Sequence, residues 1–357
     1  MSNYSRLAEL PIEIDSYTLT GLDRVFDSGF ERPSTLITLS GGGEQGLGED
    51  VVYDTLDHIA HRDAGPIHDL SGPSTLGELC ELVGSLDLFV GAAPMTDSSR
   101  LYRRWAYESA ALDLALRQRG VSLTEHLGRQ LSPLNFVCSV RANPAGEGDI
   151  EHVLRPIGVR LAKYPETRFK LDPQPDWSDE VIAWLVDSGA VDSLDLKGLY
   201  EGTPVDVEAS PEFYERIATA FPDAWLEDPK LNDETRPVLE PYAERITWDA
   251  PIHSIADIET LPWKPRIVNV KPSRIGGLEA LFDTYEYCER EAIGAYGGGQ
   301  TEQSVGRDHI QYLAALMHPD TPNDVAPSGY NDPEVPAGLP TSPLLLDPLP
   351  TGFGLRS

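Results

Sequence analysis

The sequence predicts an α/β protein in which a closed (β/α) barrel follows a small α+β module. Two observations carry this. From Leu134 onward, short apolar strands alternate with amphipathic helical stretches, the rhythm of parallel βα units, whereas the earlier residues read as extended segments broken by glycine-rich turns. Residues able to do acid, base or metal chemistry also stand at the ends of five successive strands. In such a barrel those ends meet at one mouth.

In the first module, residues 12–19, 34–39 and 49–53 read as extended, giving a small antiparallel sheet. Between 100 and 119, Leu101, Trp105, Ala111, Leu112, Leu114 and Leu116 keep helical spacing, and Gly120 is placed to end the helix. Gly41-Gly42-Gly43-Glu44-Gln45-Gly46 has G-x-G-x-x-G spacing. A dinucleotide site needs a helix opening at the last glycine; the following residues read as extended, so a hairpin turn is expected. His58 and His61, on adjacent turns, read as solvated helix histidines.

The barrel strands are predicted at 135–140, 167–171, 193–196, 224–226, 246–248, 267–270, 294–296 and, more weakly, 324–326, with helices at 178–188, 211–220 and 277–291. Eight strands in this stretch favour a closed barrel, with a doubly wound open sheet as the alternative.

Composition narrows the function. With 58 acidic against 28 basic residues the formal charge is −30, which repels nucleic acid and anionic lipid surfaces. The acids are dispersed, which favours a solvation role such as adaptation to high salt over an acidic tail. Cys80, Cys138 and Cys288 lack the spacing of a disulfide framework or a thiolate metal site. No apolar run approaches the roughly 18–20 residues of a membrane span. Met1-Ser2-Asn3-Tyr4-Ser5-Arg6 does not read as a secretory start, so cytoplasmic residence is expected. The expected partner is a small carboxylate substrate, without nucleic acid or membrane, in a homo-oligomer.

Lysine is scarce: only Lys163, Lys170, Lys197, Lys230, Lys264 and Lys271 occur. Two of them stand at strand ends. Lys170 follows Arg168-Phe169, Asp195 follows Ser193-Leu194, Glu227 follows Trp225-Leu226, Asp249 follows Thr247-Trp248, and Lys271 follows Asn269-Val270. Three carboxylates on adjacent strands suit a hard divalent cation, with Mg²⁺ the natural occupant and Mn²⁺ the alternative. Such an ion stabilises the charge that develops on a carboxylate substrate when its alpha proton leaves. A lysine near cations and partly out of water would have a lowered pKa and serve as the base. Two flanking lysines permit racemisation. One lysine as base with a cation opposite permits elimination or cycloisomerisation.

These segments resemble the enolase superfamily, within it the muconate-lactonizing subgroup of mandelate racemase and muconate lactonizing enzymes, which includes o-succinylbenzoate synthases and N-acylamino acid racemases. Arg168-Phe169-Lys170 is similar to the subgroup's Lys-x-Lys strand, with Lys170 in the place of a catalytic lysine. Asp195, Glu227 in Leu226-Glu227-Asp228-Pro229, and Asp249 match the three metal ligands, and Lys271 in Val270-Lys271-Pro272-Ser273-Arg274-Ile275-Gly276-Gly277 matches the second catalytic lysine. Gly298-Gly299-Gln300-Thr301-Glu302 is similar to the seventh-strand segment, so Glu302, with Arg168, Lys197 and Asp228, is expected beside the substrate or behind the ligands.

The resemblance implies a (β/α)₇β TIM-like barrel over residues 134–330, an α+β capping domain over 1–133, and a C-terminal return over 331–357 that completes the cap. It implies an isomerase or lyase, with cap segments 21–30 and 51–63 closing over the mouth. Two positions depart from the pattern: Lys197 stands two residues after the first ligand, where asparagine is usual, and Asp172 replaces a usual glycine. Lys197 is placed to reach Asp195 or Glu227 and compete with the metal, to hold the substrate carboxylate, or to act as an extra acid. The alternative to an Mg²⁺ enzyme is therefore a non-catalytic or metal-independent protein that binds a small acid. A dehydratase of the mandelate-racemase branch needs a histidine base on a late strand, and none stands there; His253, just past Asp249, is within reach of the mouth, but a solvated histidine is the expected reading.

Overall fold

The computed structural model describes residues 2–25, 31–89, 91–203 and 205–356. Strand β1 (Pro11–Ile14) pairs antiparallel with β5 (Gly72–Thr75), while β2 (Ser16–Val25), β3 (Glu31–Gly41) and β4 (Glu44–Asp50) form an antiparallel meander. The single segment expected at 12–19 is split because Asp15 N donates to Ser40 O at 2.7 Å, and the chain changes partner there. Of the first expected closing segment, residues 26–30 lie outside the described residues.

Gly42 and Gly43, both at positive φ (57° and 82°), make the two-residue turn between β3 and β4, so the glycine-rich motif is a hairpin. The helix Ser98–Arg119 crosses β4, burying Trp105, Ala106, Ala110 and Leu114. It comes so close that a Cβ on Gly48 would lie 2.0 Å from Ala106 O.

His58 and His61 are buried, correcting the solvated reading. On the helix Thr55–Ala64 their face packs inward, while Leu56 and Ile59 are exposed. His58 Nδ1 lies 2.9 Å from Thr35 Oγ1, and His61 Nε2 lies 2.8 Å from Tyr107 OH. Between them Asp50 takes Arg103 Nε at 2.7 Å and lies 3.6 Å from His61 Nδ1, so burial of most of these polar groups is offset inside the cap.

The barrel strands are β6 (Cys138–Val140), β7 (Phe169–Leu171), β8 (Val191–Asp195), β9 (Trp225–Glu227), β10 (Ile246–Thr247), β11 (Ile267–Asn269) and β12 (Gly294–Tyr296), in sequence order around the ring. Strands β6 to β10 form one parallel sheet, and β11 and β12 pair in parallel. Asn269 N donates to Trp248 O at 2.9 Å and joins β10 to β11. The eighth expected strand is reduced to isolated bridges at Asn323 and Asp324. There Val137 N donates to Asn323 O and Asp324 N to Gly297 O, both at 2.8 Å, and the ring closes. The Asn323 side chain does part of the missing strand's work: its Oδ1 accepts from Gly297 N at 2.6 Å, and its Nδ2 donates to Asn135 O at 3.1 Å.

The C-terminal segment returns to the cap. Leu123 N donates to Gly352 O at 3.0 Å, Phe353 N to Asp113 Oδ1 at 3.2 Å, and the buried Phe353 ring stacks on His309 with centroids 3.9 Å apart. Among the described residues no helix is long and apolar enough to cross a membrane.

Candidate active site

Alternation of side chains along short strands decides what reaches the mouth. On β7 all three residues are buried, Lys170 between Phe169 and Leu171. Asp195 ends β8, Glu227 ends β9, Asp249 lies two residues past β10, and Lys271 two residues past β11 at the start of the helix Pro272–Ile275. Lys170, Asp195, Lys197, Asp249, Lys271 and Arg274 line a cavity of about 810 Å³, walled on the cap side by Tyr53 and Tyr102. Tyr53 comes from the second segment expected to close the mouth, and its hydroxyl donates to Gln300 Oε1 at 2.5 Å. Strands β7 and β11 are four places apart in the ring, so the two lysines approach from opposite sides.

Every oxygen of the three expected ligands meets a donor from the chain itself. Lys170 Nζ donates to Glu227 Oε1, and Tyr296 OH donates to Glu227 Oε2. Lys197 supplies its ammonium to Asp195 Oδ2 and its backbone N–H to Asp195 Oδ1 at 3.2 Å. Lys271 Nζ donates to Asp249 Oδ2 at 2.7 Å, and Arg274 Nη1 to Asp249 Oδ1 at 2.6 Å. Lys170 Nζ also lies 3.4 Å from Asp195 Oδ2 and 3.8 Å from Asp324 Oδ2.

These charges set the titration. Burial works to depress the Lys170 ammonium, but Glu227, Asp195, Asp324 and Asp249 outweigh it and hold its pKa well above the usual value. The lowered pKa expected for this lysine presumed neighbouring cations; its neighbours are mostly carboxylates. Burial likewise opposes ionisation of Asp249, yet Arg274 and Lys271 keep its pKa below the ordinary range. Glu227 is raised by burial, with Asp195, Asp249 and Asp228 adding to the shift against Lys170. Burial and the carboxylates of Asp249 and Asp195 push Asp228 up to about 7.

Among the described residues, the carboxylates that bring one oxygen each within 4.8 Å of one another are Asp195, Glu227 and Asp228. Asp249 instead turns toward Lys271 and Arg274. Asp228, in a left-handed turn (φ 50°), accepts the backbone N–H groups of Asp249 at 2.8 Å and Ala250 at 2.9 Å, and so ties the ends of β9 and β10 together. Glu302 stands behind the cavity wall, its Oε1 accepting Gln300 N at 2.6 Å and its Oε2 lying 3.2 Å from Arg307 Nη2. The structure does not bring Arg168 to this group. It lies just before the strand that carries Lys170, nearer the opposite end of the barrel, where its guanidinium pairs with Asp192 and Gly189 O. His253 Nδ1 contacts Pro251 O at 3.1 Å.

Sequence reasoning passed over Arg274, Tyr296, Asp172 and Asp324. Arg274 lies one turn beyond Lys271 on a short helix, and Tyr296 ends a predicted strand, so the strand-end rule that found the lysines extends to both. Asp172 was noticed only as a departure; in space its Oδ1 is 3.5 Å from Lys197 Nζ.

Family models match residues 5–126, described as the domain of unknown function (DUF8230) N-terminal domain, and residues 130–332, described as the C-terminal domain. An N-succinylamino acid racemase of Thermus thermophilus is 25% identical over 369 residues, covering 98% of this chain and 92% of that protein. An o-succinylbenzoate synthase of Geobacillus kaustophilus is 24% identical over 238 residues, 63% of this chain and 59% of that protein. A crystal structure from Listeria innocua, described as a member of the enolase superfamily, superposes with a TM-score of 0.69 at 18% identity, covering 96% of this chain and 94% of that one. The fold is that of the enolase superfamily.

Proposed function

Because the chain belongs to the DUF8230 family and its cap and barrel have the enolase-superfamily fold, we propose that it is an enzyme removing the proton alpha to the carboxylate of a small acid. The observation that carries this reading is the placement of Lys170 and Lys271 in one cavity on opposite sides of the ring. They are the acid/base pair. Lys271, as the neutral amine after giving its own proton to solvent, accepts the alpha proton on one face while the Lys170 ammonium, held charged by its carboxylates, delivers a proton to the other. With both steps the product is a racemate or epimer. With Lys170 remaining an ammonium, it neutralises developing charge instead, and cycloisomerisation or syn-elimination follows. The name of the Thermus thermophilus relative, an N-succinylamino acid racemase, supports the racemase variant.

The donor chemistry suits Mg²⁺, or Mn²⁺: all-oxygen carboxylates on neighbouring strands, of which Asp195, Glu227 and Asp228 converge. Asp195 and Glu227 with Asp249 or Asp228 would hold the ion, whose role when bound is to neutralise charge on the substrate's carboxylate oxygens. A second reading, a metal-independent or non-catalytic small-acid-binding protein, is favoured by the finding that every oxygen of Asp195, Glu227 and Asp249 already has a donor from the chain.

Exchange of the alpha hydrogen with deuterated solvent, followed by proton NMR over a panel of N-acylamino acids and other small carboxylates with Mg²⁺ present, tests the enzyme reading. Exchange is expected in the wild type and is expected to fall more than about a hundredfold in both Lys170→Ala and Lys271→Ala. Exchange that survives both substitutions would remove the lysines from the reaction.

A further inference from the structure

Lys197 stands between two carboxylates. Its ammonium touches Asp195 Oδ2 and lies 3.5 Å from Asp172 Oδ1. It springs from a left-handed turn (φ 53°) just past β8, and the Lys197 and Asp172 side chains are each 16% exposed, whereas Asp195 is fully buried. The ammonium therefore sits at the rim of the cavity with a second anion in reach, and can pass from one carboxylate to the other by rotating its flexible stem. A dication and an ammonium cannot share one buried oxygen without strong repulsion.

We propose that Lys197 is a tethered cation that fills the divalent ion's place on Asp195 and moves onto Asp172 when an ion binds, so that the Lys197–Asp172 pair sets the affinity of the site. This rests on the metal part of the function proposed above. It gives the two departures from the family pattern one purpose: Asp172 receives the charge that Lys197 must withdraw. Without Asp172 the ammonium has no second carboxylate to take it, only the Tyr200 ring with its centroid 5.0 Å away, and stays on Asp195. Without Lys197, Asp195 Oδ2 keeps only the longer approach of Lys170 Nζ at 3.4 Å, and Asp172 has nothing to receive.

Titration calorimetry of the full chain with MgCl₂ tests the pair on wild type, Lys197→Met, Asp172→Asn and the double variant, with Lys197→Gln replacing Lys197→Met if that chain does not fold. The expected result is binding roughly tenfold tighter in Lys197→Met, roughly tenfold weaker in Asp172→Asn, and in the double variant equal to Lys197→Met. The rise in melting temperature on adding Mg²⁺ follows the same order. Affinity in Lys197→Met within twofold of wild type, or an Asp172→Asn effect that persists without Lys197, overturns the exchange while leaving the proposed reaction in place. No binding by any variant at tens of millimolar Mg²⁺ overturns the exchange together with the metal part of that reaction.

Discussion

Arg168 and Lys170 show how far a single residue's role depends on its height in the barrel. Lys170 sits within its strand and reaches the mouth; Arg168, two residues earlier and just outside that strand, pairs with the partly exposed Asp192. Exposed ion pairs contribute about 1 kcal/mol or less, so Arg168→Ala is expected to keep alpha-hydrogen exchange within about threefold of wild type and to lower stability only slightly. A hundredfold loss of exchange would return Arg168 to the site. Histidine gives the second residue-scale expectation. Burial depresses His309 from 6.5 to about 3 and His318 to about 4. Below pH 6.5 the unfolded chain takes up protons that the folded chain refuses, so stability falls as the pH drops toward those values. By pH 4.5 the loss is on the order of 2–3 kcal/mol for each imidazole, and urea unfolding of His309→Gln should show a shallower decline between pH 6.5 and 4.5 than wild type. At this scale the strand-end lysines and carboxylates were legible because each follows an apolar strand. Their partners were not, because Lys197 reaches Asp195 through a left-handed turn that no periodicity announces.

Among elements, the four expected helices and most barrel strands follow from apolar periodicity, within a residue or two at their ends, while the helices Leu76–Ser85, Ile150–Lys163 and Val305–Met317 were not expected. The helix Ser98–Arg119 stops at Gly120 as its pattern requires. The eighth strand was weak in sequence and is weak in space, for a reason that composition hides: the amide of Asn323 bonds both neighbouring backbones where a longer ladder would otherwise run. Contact between the cap's helix and its sheet was equally invisible, because it depends on what is missing from Gly48. A methyl group there would meet the Ala106 carbonyl at 2.0 Å, so Gly48→Ala should push helix and strand apart and cost about 3 kcal/mol or more. Denaturant titration measures this; a change below about 1 kcal/mol would mean that the two elements are free to separate.

For the whole molecule, the balance of charge differs between inside and outside. Around the cavity, the four cations Lys170, Lys197, Lys271 and Arg274 offset much of the charge of Asp172, Asp195, Glu227, Asp228, Asp249 and Asp324, so the excess behind the net charge of −30 lies mainly elsewhere, on a surface that repels itself. Salt shortens the reach of that repulsion from about 10 Å at 0.1 M to about 3 Å at 1 M. The melting temperature is therefore expected to climb by at least about 3 °C when KCl is raised from 0.1 to 1 M; a fall would assign stability to attractive surface pairs instead. One further consequence concerns the order of synthesis. Phe353 closes over His309 and is tied to Asp113 and to the turn at Ser122, so the cap's last contacts wait for residues made more than two hundred positions later. While the ribosome is still building the barrel, Asp113 and the turn at Ser122 wait for their C-terminal partners. The ring's own seat, His309 and Tyr312, is made only at the barrel's last helix, so cap and barrel are fastened together in one late step when Phe353 arrives.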